Sequence, residues 1–301
     1  MLSLYNIFTA LGRREFLNFL SDKTYISISY YLKFWKKINL NNPKTFNEKL
    51  QWIKLNDRKT LYTILADKYL VKEYVADCIG DEHVIKTLGI WNDAKQINFS
   101  KLPNQFVLKC NHDSGSVIIC RDKSKLDKEL VIKKLNKSLM HSGFWFGREW
   151  PYKNIKPQII AEQYIEDDTK NIGLTDYKFF CFNGVPKLLY VSLGLENHST
   201  AQISFFDMNG KEMPFRRKDY RPLQEELHIP PTFDKMKEIA ELLAKKISAP
   251  FVRIDLYPVK DKVYFSEVTF FPCNGGMPFN EDGWDTILGS WMKLDDKIIM
   301  H

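Results

Sequence analysis

The chain has 301 residues and a net charge of +7, from 44 basic and 37 acidic side chains, with 44% hydrophobic and 14% aromatic residues. That apolar content excludes a disordered chain, and a chain of this mass can bury roughly 75% of its extended surface. The positive excess is too mild and too dispersed to indicate nucleic acid, and suits an acidic substrate or an anionic membrane surface.

In chain order, residues 1–98 read as a helical N-terminal section. Met1 to Gly12 is moderately apolar but lacks a basic start, and Arg13-Arg14 follows it, the reverse of a secretory leader. Thr45 stands three residues before Glu48, the spacing of a capping box, and Phe46, Leu50 and Ile53 follow at helical intervals. A second helical pattern covers about 59–78, with Gly80 placed to end it.

From Phe99 the pattern changes. Residues 105–110 and 116–120 are short apolar runs around the polar loop Asn111 to Gly115, a hairpin-like arrangement. Residues 126–140 read as a helix and 158–163 as a strand. Strands 176–182 and 187–193 flank Asn183-Gly184, a strong hairpin signal. Residues 201–207 are a further strand, and Met236, Ala240, Leu243 and Ile247 mark an amphipathic helix over 233–248. Strands 251–257 and 263–270 close the series. The order predicts an α+β fold with largely antiparallel sheets, 99–301 forming the catalytic region with a subdomain boundary near 165–175.

The five cysteines, widely spaced and without a CxxC, predict neither a disulfide framework nor a zinc site. No run approaches the ~20 apolar residues of a membrane helix. The expected compartment is reducing and cytoplasmic.

The last strand pair carries the most chemistry. If its turn is centred on Asp261, Asp255 lies opposite Glu267 and Arg253 opposite Thr269, all on one face. Two facing carboxylates repel, and a divalent cation such as magnesium, or Arg253 itself, relieves that. Lys109 and Lys178 each sit inside an apolar strand, so each must find an anion or reach water; together with the carboxylates they suit a nucleoside triphosphate. Ser114-Gly115-Ser116 is small enough to fold its N–H groups around phosphate or to be an ordinary hairpin loop. The strand ending in Glu162-Gln163-Tyr164-Ile165 could present backbone to an adenine edge, with Glu166, Asp167 and Asp168 toward ribose. No Walker sequence and no GxGxxG is present.

In this order, Lys109, the small loop, Glu162 to Ile165, Lys178, Arg253-Ile-Asp255 and Glu267-Val-Thr269 resemble the ATP-grasp ligases. More closely, residues 42–52, 67–69, 102–112 and 176–184 resemble the ATP-grasp branch named for teichuronopeptide biosynthesis, found among genes for bacterial surface polysaccharides. The resemblance implies ATP and Mg2+, with Lys109, Lys178 and the 114–116 loop at the phosphates and Glu162, Gln163 and Ile165 at adenine. It implies Asp255, Glu267 and Thr269 at the metal, and Arg253 at an acyl intermediate. Thr269 stands where many ATP-grasp enzymes have Asn. The implied activity joins a uronic acid of a surface polysaccharide or its precursor to an amino acid or small amine. Glycosyltransferase and sugar kinase are the rival readings. The aromatic and basic residues of 1–40 either pack on the catalytic region or rest on a membrane surface.

Overall fold

The computed structural model describes residues 3–165, 175–194 and 200–294. Its helices are α1 (Leu4–Arg13), α2 (Asp22–Phe34), α3 (Phe46–Asn56), α4 (Thr60–Ala66), α5 (Val71–Ile79), α6 (Lys128–Leu139), α7 (Gly143–Gly147), α8 (Phe233–Ile247) and α9 (Asp282–Trp291). Its strands are β1 (Thr87–Trp91), β2 (Phe106–Cys110), β3 (Ile118–Cys120), β4 (Ile159–Gln163), β5 (Asp176–Phe182), β6 (Val185–Leu193), β7 (Gln202–Phe206), β8 (Phe251–Val259) and β9 (Lys262–Thr269). The fold is thus a mixture of helices and antiparallel sheets with helices leading the chain. The chain divides into two compact units, Met1–Trp35 with Arg58–Tyr74 and Ile85–Ile165, and Lys36–Asp57 with Val75–Val84 and Glu166–His301.

The first unit holds a four-stranded antiparallel sheet in the order β1-β4-β2-β3. Residues 87–91 are a strand although the N-terminal section reads as helical. Thr, Ile and Trp favour an extended chain, Gly89 weakens a helix, and pairing with β4 settles the matter. One face of the sheet is apolar: Phe106, Leu108, Cys110, Ile159 and Ala161 meet Val131 and Leu135 of α6. Alternation sends Val107 and Lys109 of β2 to the other face. Ser3 and Ser21 cap α1 and α2 through their side chains.

The second unit holds a five-stranded antiparallel sheet in the order β7-β6-β5-β8-β9. Asn183 and Gly184 form the β5–β6 turn with φ of +48° and +83°, as the Asn-Gly signal requires. On one face Phe179 meets Phe233 of α8, and the Cys181 thiol lies against the Ala240 carbonyl. On the other face Phe180, Phe182 and Phe251 surround Phe46, the first residue of α3. The capping box of α3 forms: Thr45 Oγ1 accepts from Glu48 N at 3.2 Å, and Glu48 accepts from Thr45 N at 3.1 Å.

Helix α3 also fixes the loop after β9. Cys273 and Asn274 are successive left-handed residues, at φ of +54° and +59°, which cost free energy in a residue with a Cβ. Lys54, almost fully buried, donates to Asn274 O at 2.8 Å and to Asn274 Oδ1 at 2.7 Å. Gln51 donates to Asn274 O at 3.0 Å and to Gly275 O at 2.8 Å. Asn47 donates to Met277 O at 2.9 Å and accepts from Met277 N at 2.7 Å.

Phe46 is completely buried among aromatic rings. Phe46→Ala should cost about 3–5 kcal/mol through lost burial and the cavity left behind. Denaturant unfolding checks this, and a change below about 1 kcal/mol would show that the site collapses to fill the space.

Candidate active site

Each sheet carries a cluster of buried charge, in the second sheet on the same face as the aromatic rings around Phe46. In the first unit Glu162 of β4 is the hub. Lys109 Nζ lies 2.6 Å from Glu162 Oε2, and Lys72 Nζ lies 2.6 Å from Glu162 Oε1. Lys72, from α5, also donates to Ile85 O at 2.8 Å and Thr87 Oγ1 at 2.9 Å. Burial alone would raise the Glu162 pKa, but the two ammonium groups outweigh it and hold the carboxyl below the usual range. The anion that Lys109 needs is therefore built into the neighbouring strand. Lys72 was not singled out in the sequence, because it lies in a helical pattern with nothing to link it to strand residue 162.

Beyond Glu162 the residue Gln163 is exposed and its backbone N–H donates to Lys86 O at 2.9 Å, and Tyr164 and Ile165 are half-buried. Glu166, Asp167 and Asp168 lie outside the described residues. In the small loop Ser114 and Gly115 are exposed, and a Cβ on Gly115 would meet nothing within 4 Å. Ser116 is buried: its hydroxyl donates to Asp113 Oδ1 at 2.5 Å and accepts from Cys110 N at 2.7 Å. Lys68 holds the loop from outside by donating to Asp113 O at 2.7 Å.

In the second unit the register places Tyr190, Lys178, Asp255 and Glu267 in one row across β6, β5, β8 and β9. Arg253 pairs with Thr269 in an adjacent row on the same face. This is the register the hairpin arithmetic predicts, reached by a different route. The turn is tighter than assumed, with Val259 opposite Lys262, and a bulge between Asp255 and Leu256 restores the match at Glu267.

Asp255 has no exposure to solvent. Arg253 grips it with two bonds, Nε to Oδ1 at 2.7 Å and Nη2 to Oδ2 at 2.6 Å, and the same Nη2 reaches Glu267 Oε1 at 2.8 Å. Lys178 Nζ donates to Asp255 Oδ2 at 2.9 Å and also to Asp176 Oδ2. Burial opposes the charges of Lys178 and Arg253, yet the facing carboxylates raise both above their ordinary values. Thr269 Oγ1 donates to Glu267 Oε1 at 3.2 Å. Asp176 escaped the sequence reading, although the same two-residue rule that joined Arg253 to Asp255 joins it to Lys178.

The donor set suits a hard cation. One positive nitrogen of Arg253 already lies within hydrogen-bond reach of oxygens from both Asp255 and Glu267, which marks the point where their fields add. Three carboxylates face two cationic side chains in the cluster, so it carries a net negative charge. Carboxylate and hydroxyl oxygens are the ligand type magnesium takes, but here Arg253 and Lys178 occupy both Asp255 oxygens, and among the described residues no group of three or more His, Cys, Asp or Glu side chains is arranged to hold a metal ion.

The model for the family described as TupA-like ATPgrasp matches residues 48–293. The chain therefore belongs to the TupA-like branch of the ATP-grasp proteins. Among solved structures it is similar to D-alanine–D-alanine ligase from Bacillus anthracis, at 18% identity and a TM-score of 0.41, over 69% of this chain and 57% of that one. It is also similar to the ATP-grasp ligase PsnB complexed with its minimal precursor, at 11% identity and a TM-score of 0.44, over 82% of this chain and 68% of that one. A third is the RimK domain protein ATP-grasp from Sphaerobacter thermophilus, at 12% identity and a TM-score of 0.42, over 79% of this chain and 70% of that one. This chain spans little more than half the length of the D-alanine–D-alanine ligase. No curated protein matches it.

Burial, partly offset by Lys178, pushes the Asp176 carboxyl up to about 6. The unfolded chain releases that proton near pH 4. Between those values only the unfolded state has lost it, so Asp176 makes stability fall as pH rises from about 4 to about 6. Asp176→Asn should remove this contribution, giving a steeper rise, or a weaker fall, of stability with pH across that window. Denaturant titrations at half-unit pH intervals measure it; parallel wild-type and variant curves would show that Asp176 titrates normally.

Proposed function

We propose that the protein is an ATP-dependent carboxylate–amine ligase that activates a sugar carboxylate, a uronic acid of a surface polysaccharide or its precursor, for amide formation with an amino acid or small amine. Family membership supports the class, and the single row of Lys178, Asp255 and Glu267 with Arg253 beside it carries the reading. A carboxylate resists attack because its leaving group would be oxide. In the proposed reaction a carboxylate oxygen attacks the γ-phosphorus of ATP and the bond to the bridging oxygen breaks, giving an acylphosphate and ADP. The amine then attacks the acyl carbon, phosphate leaves with the former C–O electrons, and the amine's proton passes to solvent.

In this reading Lys109 and Lys178 contact the triphosphate, and Ser114, Gly115 and Ser116 supply backbone N–H groups to it. Glu162, Gln163 and Ile165 flank adenine, Glu162 acting through the two lysines it aligns. Asp255, Glu267 and Thr269 hold magnesium, which when bound supplies charge neutralisation at the phosphates. Arg253 turns its guanidinium from the carboxylates toward the acyl oxygen, where charge develops as the tetrahedral centre forms. Aligned reactants and fixed charges carry most of the rate.

ADP release from uronic acids and amines, with the mass of the product, tests the class. An amide shows a condensation product of acid and amine; a phosphorylated sugar would indicate a kinase, and no ADP release with any pair would remove the ligase reading. Asp255→Asn should abolish turnover. Lys109→Met should weaken ATP binding by about 1.5–3 kcal/mol while the far-ultraviolet dichroism is unchanged.

The same reading places the enzyme in the cytoplasm at the inner face of the membrane, where residues 1–40 meet a lipid-linked acceptor. Among the described residues no helix is long and apolar enough to cross a membrane. Supporting a surface contact, Leu4, Ile7 and Leu11 of α1 are exposed, as are Phe16 and Phe19, the last at 79%. Arg13 and Arg14 lie between Leu11 and Phe16. Vesicles containing anionic lipid should sediment the full chain at low salt, and deletion of residues 1–20 should abolish this while sparing turnover of a soluble acceptor. Equal recovery with neutral and anionic vesicles would leave internal packing as the role of these residues.

A further inference from the structure

The connector between β7 and α8 carries Phe215-Arg216-Arg217-Lys218-Asp219-Tyr220-Arg221, a basic run that the roles above do not use. It is pinned beside the loop that follows β9. Arg217 bridges to Phe279, Lys218 N donates to Pro278 O at 2.9 Å, and Asn280 N donates to Arg216 O at 3.0 Å. Phe215 stacks on Phe205 and on Trp284, so the backbone on either side of Arg217 is held.

Within this run Arg216, Lys218 and Arg221 are exposed, whereas the Arg217 side chain is only 12% accessible. A buried guanidinium needs structure around it, and here it has it. Arg217 Nη1 donates to Tyr190 Oη at 2.9 Å, Nε donates to Asp219 Oδ1 at 2.9 Å, and Nη2 donates to Asp219 Oδ2 at 2.5 Å. Its carbon lies 4.6 Å from the centre of the Tyr220 ring, in cation–π contact. Tyr190 is the member of the charged row that stands beside Lys178. Arg217 is thus joined through one hydroxyl to the row that carries the proposed chemistry.

The donor count shows what this arrangement leaves over. A guanidinium has five N–H groups. Among the described residues Asp219 and Tyr190 engage three of them, which leaves one on each terminal nitrogen, enough donors in number for a second carboxylate. Asp219 already shows the geometry, since its carboxylate meets Nε and Nη2 side by side. Tyr220, half-buried, supplies aromatic surface of the kind that lies against a sugar ring, whereas Tyr190 is buried against Phe180 and Phe205 and contributes only its hydroxyl.

We propose that Arg217 binds the carboxylate of the acidic substrate, a hexuronate, with Asp219 as its positioning residue. This inference rests on the ligase reading above for its place in the reaction, and assigns the substrate class to particular side chains. Asp219 fixes the plane of the guanidinium, Tyr190 sets its distance from Lys178, and the sugar carboxylate is held beside the row rather than by the row itself. A neutral hexose lacks the group that Arg217 recognises and leaves the guanidinium donors unmatched.

Calorimetric titration of the full chain with D-glucuronate, with glucose as the neutral control and ATP·Mg2+ in a parallel titration, tests this. Wild-type protein should bind glucuronate and not glucose. Arg217→Lys keeps the charge but loses the planar fork, and should weaken glucuronate by about tenfold or more while leaving ATP affinity within about twofold. Asp219→Asn should weaken it several-fold; its half-exposed side chain makes this variant the one that decides if Arg217→Lys fails to fold. Unchanged glucuronate affinity in a folded variant would overturn the proposal, as would equal affinity for glucose or failure of ATP-binding wild-type protein to bind glucuronate. A wild-type protein that does not bind ATP would instead overturn the ligase reading, and its glucuronate titration would still decide the role of Arg217.

Discussion

Asp255 is a carboxylate with no access to water, and the arrangement of the second sheet follows from that. A buried charge is tolerated only when opposite charge and hydrogen bonds replace its hydration. Arg253 and Lys178 provide both, from the same strand and from the strand beside it. Each of those cations is then buried in turn. Lys178 is answered by Asp176, and Arg253 reaches on to Glu267. The compensation runs sideways across three strands and locks their register, because a slip of one residue would carry every member to the opposite face. Removing one member would strand its partners, which is why such clusters resist piecemeal change. Glu162, between Lys72 and Lys109, applies the same rule to the other sheet with one anion and two cations.

Where the sequence was informative, the reason is local geometry. The alternation of strands put Arg253, Asp255, Glu267 and Thr269 on one face without any structural knowledge, and the cluster is there. A lysine inside an apolar strand announces a buried anion, and both Lys109 and Lys178 have one. The identity of that anion was not legible. Lys109 and Glu162 meet only because β2 and β4 pair, and no local pattern specifies which strands become neighbours. Lys72 was hidden for the same reason, and β1 because a short apolar segment with a glycine satisfies helical and extended patterns equally well until a partner strand selects one. No local pattern separates Arg217 from Arg216, Lys218 and Arg221; burial and the contact with Tyr190 single it out.

Residues 42–52 and 102–112 are the two stretches that make the resemblance to the TupA-like branch specific, and the role of the first is mechanical. Phe46 fills the aromatic centre of the sheet face, Asp285 of α9 accepts from Asn47 N at 2.9 Å, and Lys49 donates to the carbonyls of Gly289 and Met292 at 2.8 and 2.6 Å. Lys49 thereby places a cation at the C-terminal end of α9, where the helix dipole favours it. Gly289 allows the close approach: a Cβ there would lie 2.2 Å from Lys44 O.

The clasp of α3 on the loop after β9 joins positions 220 and 223 residues apart through Lys54 and Gln51. During synthesis at about 5–20 residues per second, α3 is made roughly 10–45 seconds before Asn274 exists. For that interval its anchors are amide and ammonium groups that water solvates well, so the waiting helix does not expose an all-apolar surface. The left-handed pair Cys273-Asn274 has no support until the clasp closes, and so the loop takes its shape from side chains made more than two hundred residues before it.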